Sequence, residues 1–277
     1  MARHWGVVLA ALALAAGSAL AAGVASASSL PRTVPAHVYP GHTMIPSGAT
    51  GAATRPAAGG GTLNVIKSTN WSGYAAHLPR KGTFHSVSAS WIQPRARCGS
   101  SAGKRQFAAF WVGLDGFNSL SVEQTGTDSD CVGTTPHYYG WYEMFPAAPV
   151  NFKNPVKPGD QMSASVTFTG TAKYTLVLTD TTRHWTHTIV KRNPNLARSS
   201  AEAITEAPSS GATGAVLPLA NFGTVRFTLV RVNGLVLNKE TPSRIVMFSI
   251  TSGLPLDTTS VLGNAGGAFS NTWIRSS

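Results

Sequence analysis

His85-Ser86-Val87-Ser88-Ala89-Ser90-Trp91-Ile92-Gln93 and Gln161-Met162-Ser163-Ala164-Ser165-Val166-Thr167-Phe168-Thr169 set an apolar residue at nearly every second position, against serine or threonine. A period of two belongs to an extended strand with one buried face, because successive side chains of a strand point to opposite sides. Val87, Ala89 and Trp91 therefore share one face, and Met162, Ala164, Val166 and Phe168 share another. The same pattern sets Val225, Phe227 and Leu229 against Arg226, Thr228 and Val230. Lys173 to Thr179 and Arg244 to Ile250 are rich in the β-branched and aromatic residues that strands favour. Turn signals separate these runs: Lys157-Pro158-Gly159-Asp160, Val232-Asn233-Gly234 and Ser252-Gly253. About a dozen short strands, no amphipathic helix and no fixed-period repeat predict an all-β domain, an antiparallel sandwich or barrel, over residues 63–277.

The 62 residues before that domain read differently. Arg3 and His4 precede an apolar run from Trp5 to Val24, and Ala25-Ser26-Ala27 offers small residues for cleavage. This is the three-part pattern of a secretory signal peptide over 1–27. The run is also long enough to consider a membrane anchor, but the small residues and the cleavage motif favour removal, leaving no stable membrane association. Residues 28–62 are crowded with Ser, Pro, Ala and Gly and lack apolar periodicity, which predicts a propeptide or flexible segment. Cys98 and Cys131 are the two cysteines, both in the part expected to be exported. An exported pair predicts one disulfide.

The chain has 277 residues and a formal net charge of +11, yet its Lys and Arg are scattered and form no block. Nucleic-acid binding usually needs a clustered basic patch and is not expected here. All 11 Asp and Glu stand at or after Asp115.

The usual hydrolase signatures are missing. There is no G-x-S-x-G elbow for a serine nucleophile and no H-E-x-x-H for zinc. His184 and His187, three apart in a strand-like run, point to opposite faces and suit no common metal. Asp180-Thr181-Thr182 and Asp257-Thr258-Thr259 lack the glycine of an aspartic-peptidase turn. What remains is scarcity. Only five glutamates occur, and a carboxylate in an apolar, small-residue strand is costly to bury. Glu202 and Glu206 lie in Ser199-Ser200-Ala201-Glu202-Ala203-Ile204-Thr205-Glu206, and Glu143 in Tyr138-Tyr139-Gly140-Trp141-Tyr142-Glu143-Met144-Phe145. Period two aligns Trp141, Glu143 and Phe145. Such a stripe suits ordinary sandwich core, or a groove that binds polysaccharide or protein without catalysis.

The order of several segments adds to this. Asn70-Trp71-Ser72-Gly73-Tyr74, Ser88-Ala89-Ser90-Trp91, Trp111-Val112-Gly113-Leu114-Asp115-Gly116, Gln124-Thr125-Gly126-Thr127-Asp128, Trp141-Tyr142-Glu143-Met144-Phe145-Pro146, Pro158-Gly159-Asp160, Ala201-Glu202-Ala203-Ile204-Thr205-Glu206 and Asn221-Phe222-Gly223-Thr224-Val225 follow one another over about 70–230. In that order the chain resembles the glutamic peptidases, or eqolisins. The resemblance implies a sandwich of two curved antiparallel sheets with a cleft on the concave side. It implies a secreted, monomeric acid endopeptidase acting on protein or peptide, with no metal and no cofactor. It places the catalytic pair on Gln124 and Glu202, and cleft-lining residues on Trp111, Asp115, Asp128, Trp141 and Glu143. Two positions depart from the family's pattern. Ala203 stands where Trp often follows the catalytic Glu, and Phe145 where a hydroxylated aromatic is common, so a change in substrate preference or in the tuning of the acid is expected.

Overall fold

The computed structural model describes residues 53–56, 62–99, 104–117, 119–263 and 265–277. Its strands, numbered in chain order, form two sheets. The first runs β1 (Ala53–Pro56), β2 (Thr62–Ser68), β16 (Ser243–Met247), β3 (Trp71–His77), β13 (Ser200–Glu206), β6 (Ala109–Leu114), β7 (Val122–Val132), β8 (Thr135–Phe145) and β9 (Val150–Pro155), with β5 (Arg105–Gln106) on the far end of β7. The second runs β12 (Trp185–Arg192), β11 (Lys173–Asp180), β10 (Gln161–Phe168), β4 (Ser86–Ile92), β14 (Thr224–Val232), β18 (Phe269–Trp273) and β17 (Asp257–Thr259), with β15 (Leu235–Val236) beside β14. Among the described residues the only helical element is the four-residue 3₁₀ turn Leu237–Glu240. The expected β-sandwich is present, with more strands than the sequence pattern resolves. Its ladders are antiparallel except for β2 with β16, which is parallel.

Residues 1–27 and most of 28–62 lie outside the described residues. Ala53–Pro56, inside the segment read as aperiodic, nevertheless pairs with Thr62–Val65 as β1. Pairing uses backbone groups, so it needs no side-chain pattern to form.

The alternating faces meet as expected. Val87, Ala89 and Trp91 of β4 and Met162, Ala164 and Val166 of β10 pack against Phe110, Val112 and Leu114 of β6 in one core between the sheets. Polar ties cross the same gap: the Trp91 indole donates to Thr127 Oγ1 at 3.0 Å, and Gln93 Nε2 donates to Ser129 Oγ at 2.9 Å. In β14 the expected alternation is corrected. Thr228 pairs with Ser90 but Arg231 with Ser88, so one residue is extra. Leu229 takes a left-handed φ of 53° and is 69% exposed, while Val230 is buried in its place. A bulge inserts one residue and so exchanges the faces beyond it. Cys98 and Cys131 form the expected disulfide, tying the segment after β4 to β7.

One buried polar network holds β17 and β18 against the first sheet. The Ser72 hydroxyl donates to the carboxylate of Asp257. Asn271 Nδ2 donates to Thr205 Oγ1 at 2.8 Å and to Ser72 O at 3.2 Å. Thr259 Oγ1 accepts from Gly73 N at 3.1 Å and donates to Ile245 O at 2.6 Å. Burial pushes the Asp257 carboxyl from 3.8 up to about 7, against the opposing pull of Ser72 and the Met247 amide. A folded-state pKa above the unfolded value means stability that is complete below about pH 4 and is lost as pH rises toward 7. Asp257→Asn removes that titration. Its melting temperature should therefore fall less than the wild type's between pH 4 and pH 7.5. Each unit of displacement is worth about 1.4 kcal/mol, so circular-dichroism melts should register a difference of a few kcal/mol. Equal pH dependence in the two proteins would contradict this.

Candidate active site

The face of the first sheet that turns away from the second sheet carries three register rows. One reads Ser243 (β16), Ala75 (β3), Glu202 (β13), Gly113 (β6), Gln124 (β7) and Glu143 (β8). The next reads Ile245, Gly73, Ile204, Trp111, Gly126 and Trp141. The third reads Trp71, Glu206, Ala109, Asp128 and Tyr139. Register thus brings Gln124, Glu202, Glu143, Trp111, Trp141 and Asp128 to one face. Each of these side chains is buried.

Glycine and alanine make the crowding possible. A Cβ on Gly126 would lie 2.2 Å from Phe110 O and 2.5 Å from Trp111 Cβ, so only glycine fits between the two indoles. A Cβ on Gly113 would lie 2.9 Å from the Trp111 ring and 3.2 Å from Gln124 Cβ. With hydrogen there instead, Glu202 and Gln124 face each other across one empty strand position. Two strand spacings put their Cα atoms about 10 Å apart, close enough for both side chains to lean over the gap.

Several polar side chains of this face are hydrogen-bonded to one another. Gln124 Nε2 donates to Glu143 Oε2 at 2.6 Å. The Trp111 indole donates to Glu206 Oε2 at 2.9 Å. The Trp141 indole donates to Asp128 Oδ1 at 2.5 Å, and the Tyr139 hydroxyl lies 3.2 Å from Asp128 Oδ2 and 2.6 Å from Asp130 Oδ2. Trp71 meets Trp111 edge-on at 4.9 Å. Asp115 serves differently. It follows β6 with a left-handed φ of 70°, and its carboxylate accepts from the amides of Arg198 at 2.7 Å and Ser199 at 2.8 Å. It fastens the end of β6 to the start of β13. Leu120, which a period of two would place on the Gln124 face, precedes β7 and is 85% exposed. Ala203 faces the inter-sheet core, so that departure from the family's pattern changes packing rather than the Glu202 face.

Burial holds the Glu202 carboxyl well above its ordinary value; the Ser200 hydroxyl pulls it down, and the charges of Asp115 and Glu123 push it up. Among the described residues, no group of three or more His, Cys, Asp or Glu is arranged to hold a metal ion.

Residues 69–264 match the model of the Peptidase A4 family. The chain belongs to that family. Solved structures agree with the assignment. The crystal structure of scytalido-glutamic peptidase with a transition-state-analogue inhibitor is 26% identical, with a TM-score of 0.63 over 74% of this chain and 98% of that one. SCP-B, a member of the eqolisin family in complex with the tripeptide Ala-Ile-His, is 26% identical with a TM-score of 0.58 over the same shares. Aspergilloglutamic peptidase from Aspergillus niger is 25% identical with a TM-score of 0.53, over 61% of this chain and 99% of that one. No curated protein sequence matches. The protein is a glutamic peptidase, a hydrolase of peptide bonds.

Sequence reasoning passed over Glu123. It sits beside Gln124 in the chain but faces the inter-sheet core, fully buried, and neither carboxylate oxygen has a hydrogen-bond partner. Its odd place in the alternation Val122, Gln124, Gly126 was the available signal. Burial, and then the charge of Asp115, raise its carboxyl well above the usual range. Its contribution to stability is therefore greatest in acid and is lost as pH rises through that raised value. Glu123→Leu should stabilise this peptidase, and by more at pH 7 than at pH 4, because an unpartnered buried polar group costs about 1–3 kcal/mol even when neutral. Thermal melts at the two pH values check it; a variant less stable at pH 7 would show an unseen partner for the carboxylate.

Proposed function

We propose that the peptidase is a secreted, acid-acting endopeptidase in which Glu202 and Gln124 perform the chemistry. The observation that carries this is their shared register row, with Gly113 alone between them. A peptide laid over that gap would present its scissile carbonyl to both. The Glu202 carboxylate takes a proton from water, and the water oxygen bonds to the carbonyl carbon. The carbonyl electron pair moves onto its oxygen, where a Gln124 Nε2 hydrogen is donated. When the tetrahedral intermediate collapses, the C–N bond breaks and Glu202 returns the proton to the departing amine. Nothing in these steps calls for a metal or a cofactor.

Glu143 supports the assignment of roles. By accepting one Nε2 hydrogen at 2.6 Å it turns the amide so that the second hydrogen is available. A neutral amide continues to donate in acid, where a carboxylate partner would titrate. Glu206, four residues on and two positions along the same face, is the rival base, but its Oε2 already accepts from Trp111. General acid–base assistance supplies about 10²–10⁴ in rate, and an oxyanion donor about 10²–10³.

Acid action is supported by the carboxyls themselves. Glu123 and Asp257, which take no part in the chemistry, are both held above their ordinary values by burial. The folded state is thus favoured at low pH and penalised as pH approaches 7. Secretion is supported by the basic, apolar and small-residue sequence of residues 1–27.

Casein digestion should peak at acidic pH and resist inhibitors of serine, cysteine and metal peptidases. Glu202→Gln should abolish turnover with an unchanged melting temperature, because the isostere cannot accept the proton. Gln124→Ala should lose at least about 10² in kcat. Glu206→Gln should remain active; loss of activity there, with Glu202→Gln still active, would transfer the role of base to Glu206.

The segment 28–62 carries Arg32, His37, His42 and Arg55 and no acid, a charge complement to the Glu- and Asp-rich face. We expect it to be removed on maturation, so that the active enzyme begins near Thr62. N-terminal sequencing of secreted, active material decides this; full activity with Ser28 as the first residue would rule it out.

A further inference from the structure

The chain's eleven carboxylates are almost wholly withdrawn from its surface. Ten of them are buried, and the eleventh, Glu240, is half-buried. The basic side chains do the opposite, and most of those described stand exposed. The exterior therefore carries one sign of charge, although the whole chain carries both.

One end of the sandwich carries a group of exposed basic side chains. Arg95 and Arg97 leave β4, Lys104 and Arg105 lead into β5, and all four are exposed. The Cys98–Cys131 disulfide ties the residue after Arg97 to β7, and Arg105 and Gln106 pair with the same end of β7. Arg105 pairs with Val132 and bears on His137, whose imidazole is held low by burial and then by that guanidinium. The Arg97 guanidinium lies over Gly223, 3.5 Å from where a Cβ would stand, and exposed Arg226 follows three residues on. The exposed hydroxyls of Thr224 and Thr272 meet beside it at 3.1 Å. Val132 is eight residues along β7 from Gln124, about 27 Å at strand rise, so this end is separate from the catalytic face.

We propose that this end is a docking surface for an extended polyanion, a polyol polymer joined by phosphodiesters, which anchors the secreted enzyme outside the cell. A surface that exposes no Asp or Glu side chain repels such a chain little, and its attraction is steered by the summed field. The choice of phosphodiester rests on the acid-working reading above: carboxyl groups of ordinary pKa are about half neutral near pH 4 and more so below it, whereas phosphodiesters retain their charge. Among the described residues the exposed large apolar side chains are all Leu, Ile or Val, so no fully exposed aromatic ring is offered to unstacked bases. The threonine hydroxyls beside the guanidiniums suit a polyol.

The test uses the mature protein and lipid-free poly(glycerol phosphate), with affinity measured by titration calorimetry. Binding should weaken about tenfold or more between 50 and 200 mM salt, as expected when several phosphates are neutralised. Measured in a His137→Gln background, so that this lowered imidazole does not titrate, it should change less than about threefold between pH 4 and pH 5.5, a span that titrates ordinary carboxylates. The combined variant Arg95→Gln, Arg97→Gln, Lys104→Gln and Arg105→Gln should bind at least about tenfold more weakly, while cleaving casein at the wild-type rate. Inactive Glu202→Gln should bind as the wild type does, which separates failure of this proposal from failure of the catalytic one. Absent or salt-insensitive binding, an unaffected quadruple variant, or tighter binding of double-stranded DNA of equal charge would overturn it.

Discussion

Five adjacent strands must place three tryptophans, three glutamates, an aspartate and a glutamine on one face of a sheet whose strands are spaced about 4.8 Å apart. They can do so because the positions between the large side chains are Gly73, Ala75, Ala109, Gly113 and Gly126. A methyl group at 126 would meet backbone at 2.2 Å, and one at 113 would crowd the Trp111 ring. The catalytic arrangement proposed here depends on that constraint. Glu202 and Gln124 belong to strands that do not touch, and only the missing side chain at 113 leaves them a shared space. Glu143, Asp128 and Glu206 then fix the surrounding amide and indole donors.

The same crowding has an electrostatic consequence. Burying a carboxylate favours its neutral form, and this protein buries ten. Some are compensated by several donors, as Asp115 is by two backbone amides and the Ser199 hydroxyl. Others are held well above their ordinary values, Glu123 with no hydrogen-bond partner and Asp257 with a single buried hydroxyl and one amide. A fold built this way is most stable where those groups hold their protons. The withdrawal of acids into the interior also leaves the exterior cationic. Stability in acid and a surface on which basic side chains dominate are thus two results of one distribution of charge.

Much of this was legible along the chain. Alternation in β4, β10 and β11 revealed the sandwich, and the cysteine count gave the disulfide. The ordered motifs pointed to the family, and period two already aligned Trp141 with Glu143 and Glu202 with Glu206. Alternation failed where the backbone departed from regular pleating. The bulge in β14 put Val230 inside and Leu229 outside, and Leu120 proved to lie before its strand. The strand β1 went unread because backbone pairing leaves no side-chain trace.

The sequence by itself determined which residues share a face within each strand, because the side-chain period of a strand is a local property of the backbone. It could not determine the register between strands distant in the chain. The pairing of Glu202 with Gly113, and of Gly113 with Gln124, spans about ninety residues and is decided by how the whole sheet packs. That register alone brings the glutamate and the glutamine together. It also decides that Glu123, one residue away from Gln124, faces the core, because reversing a side in a pleated strand takes a single step.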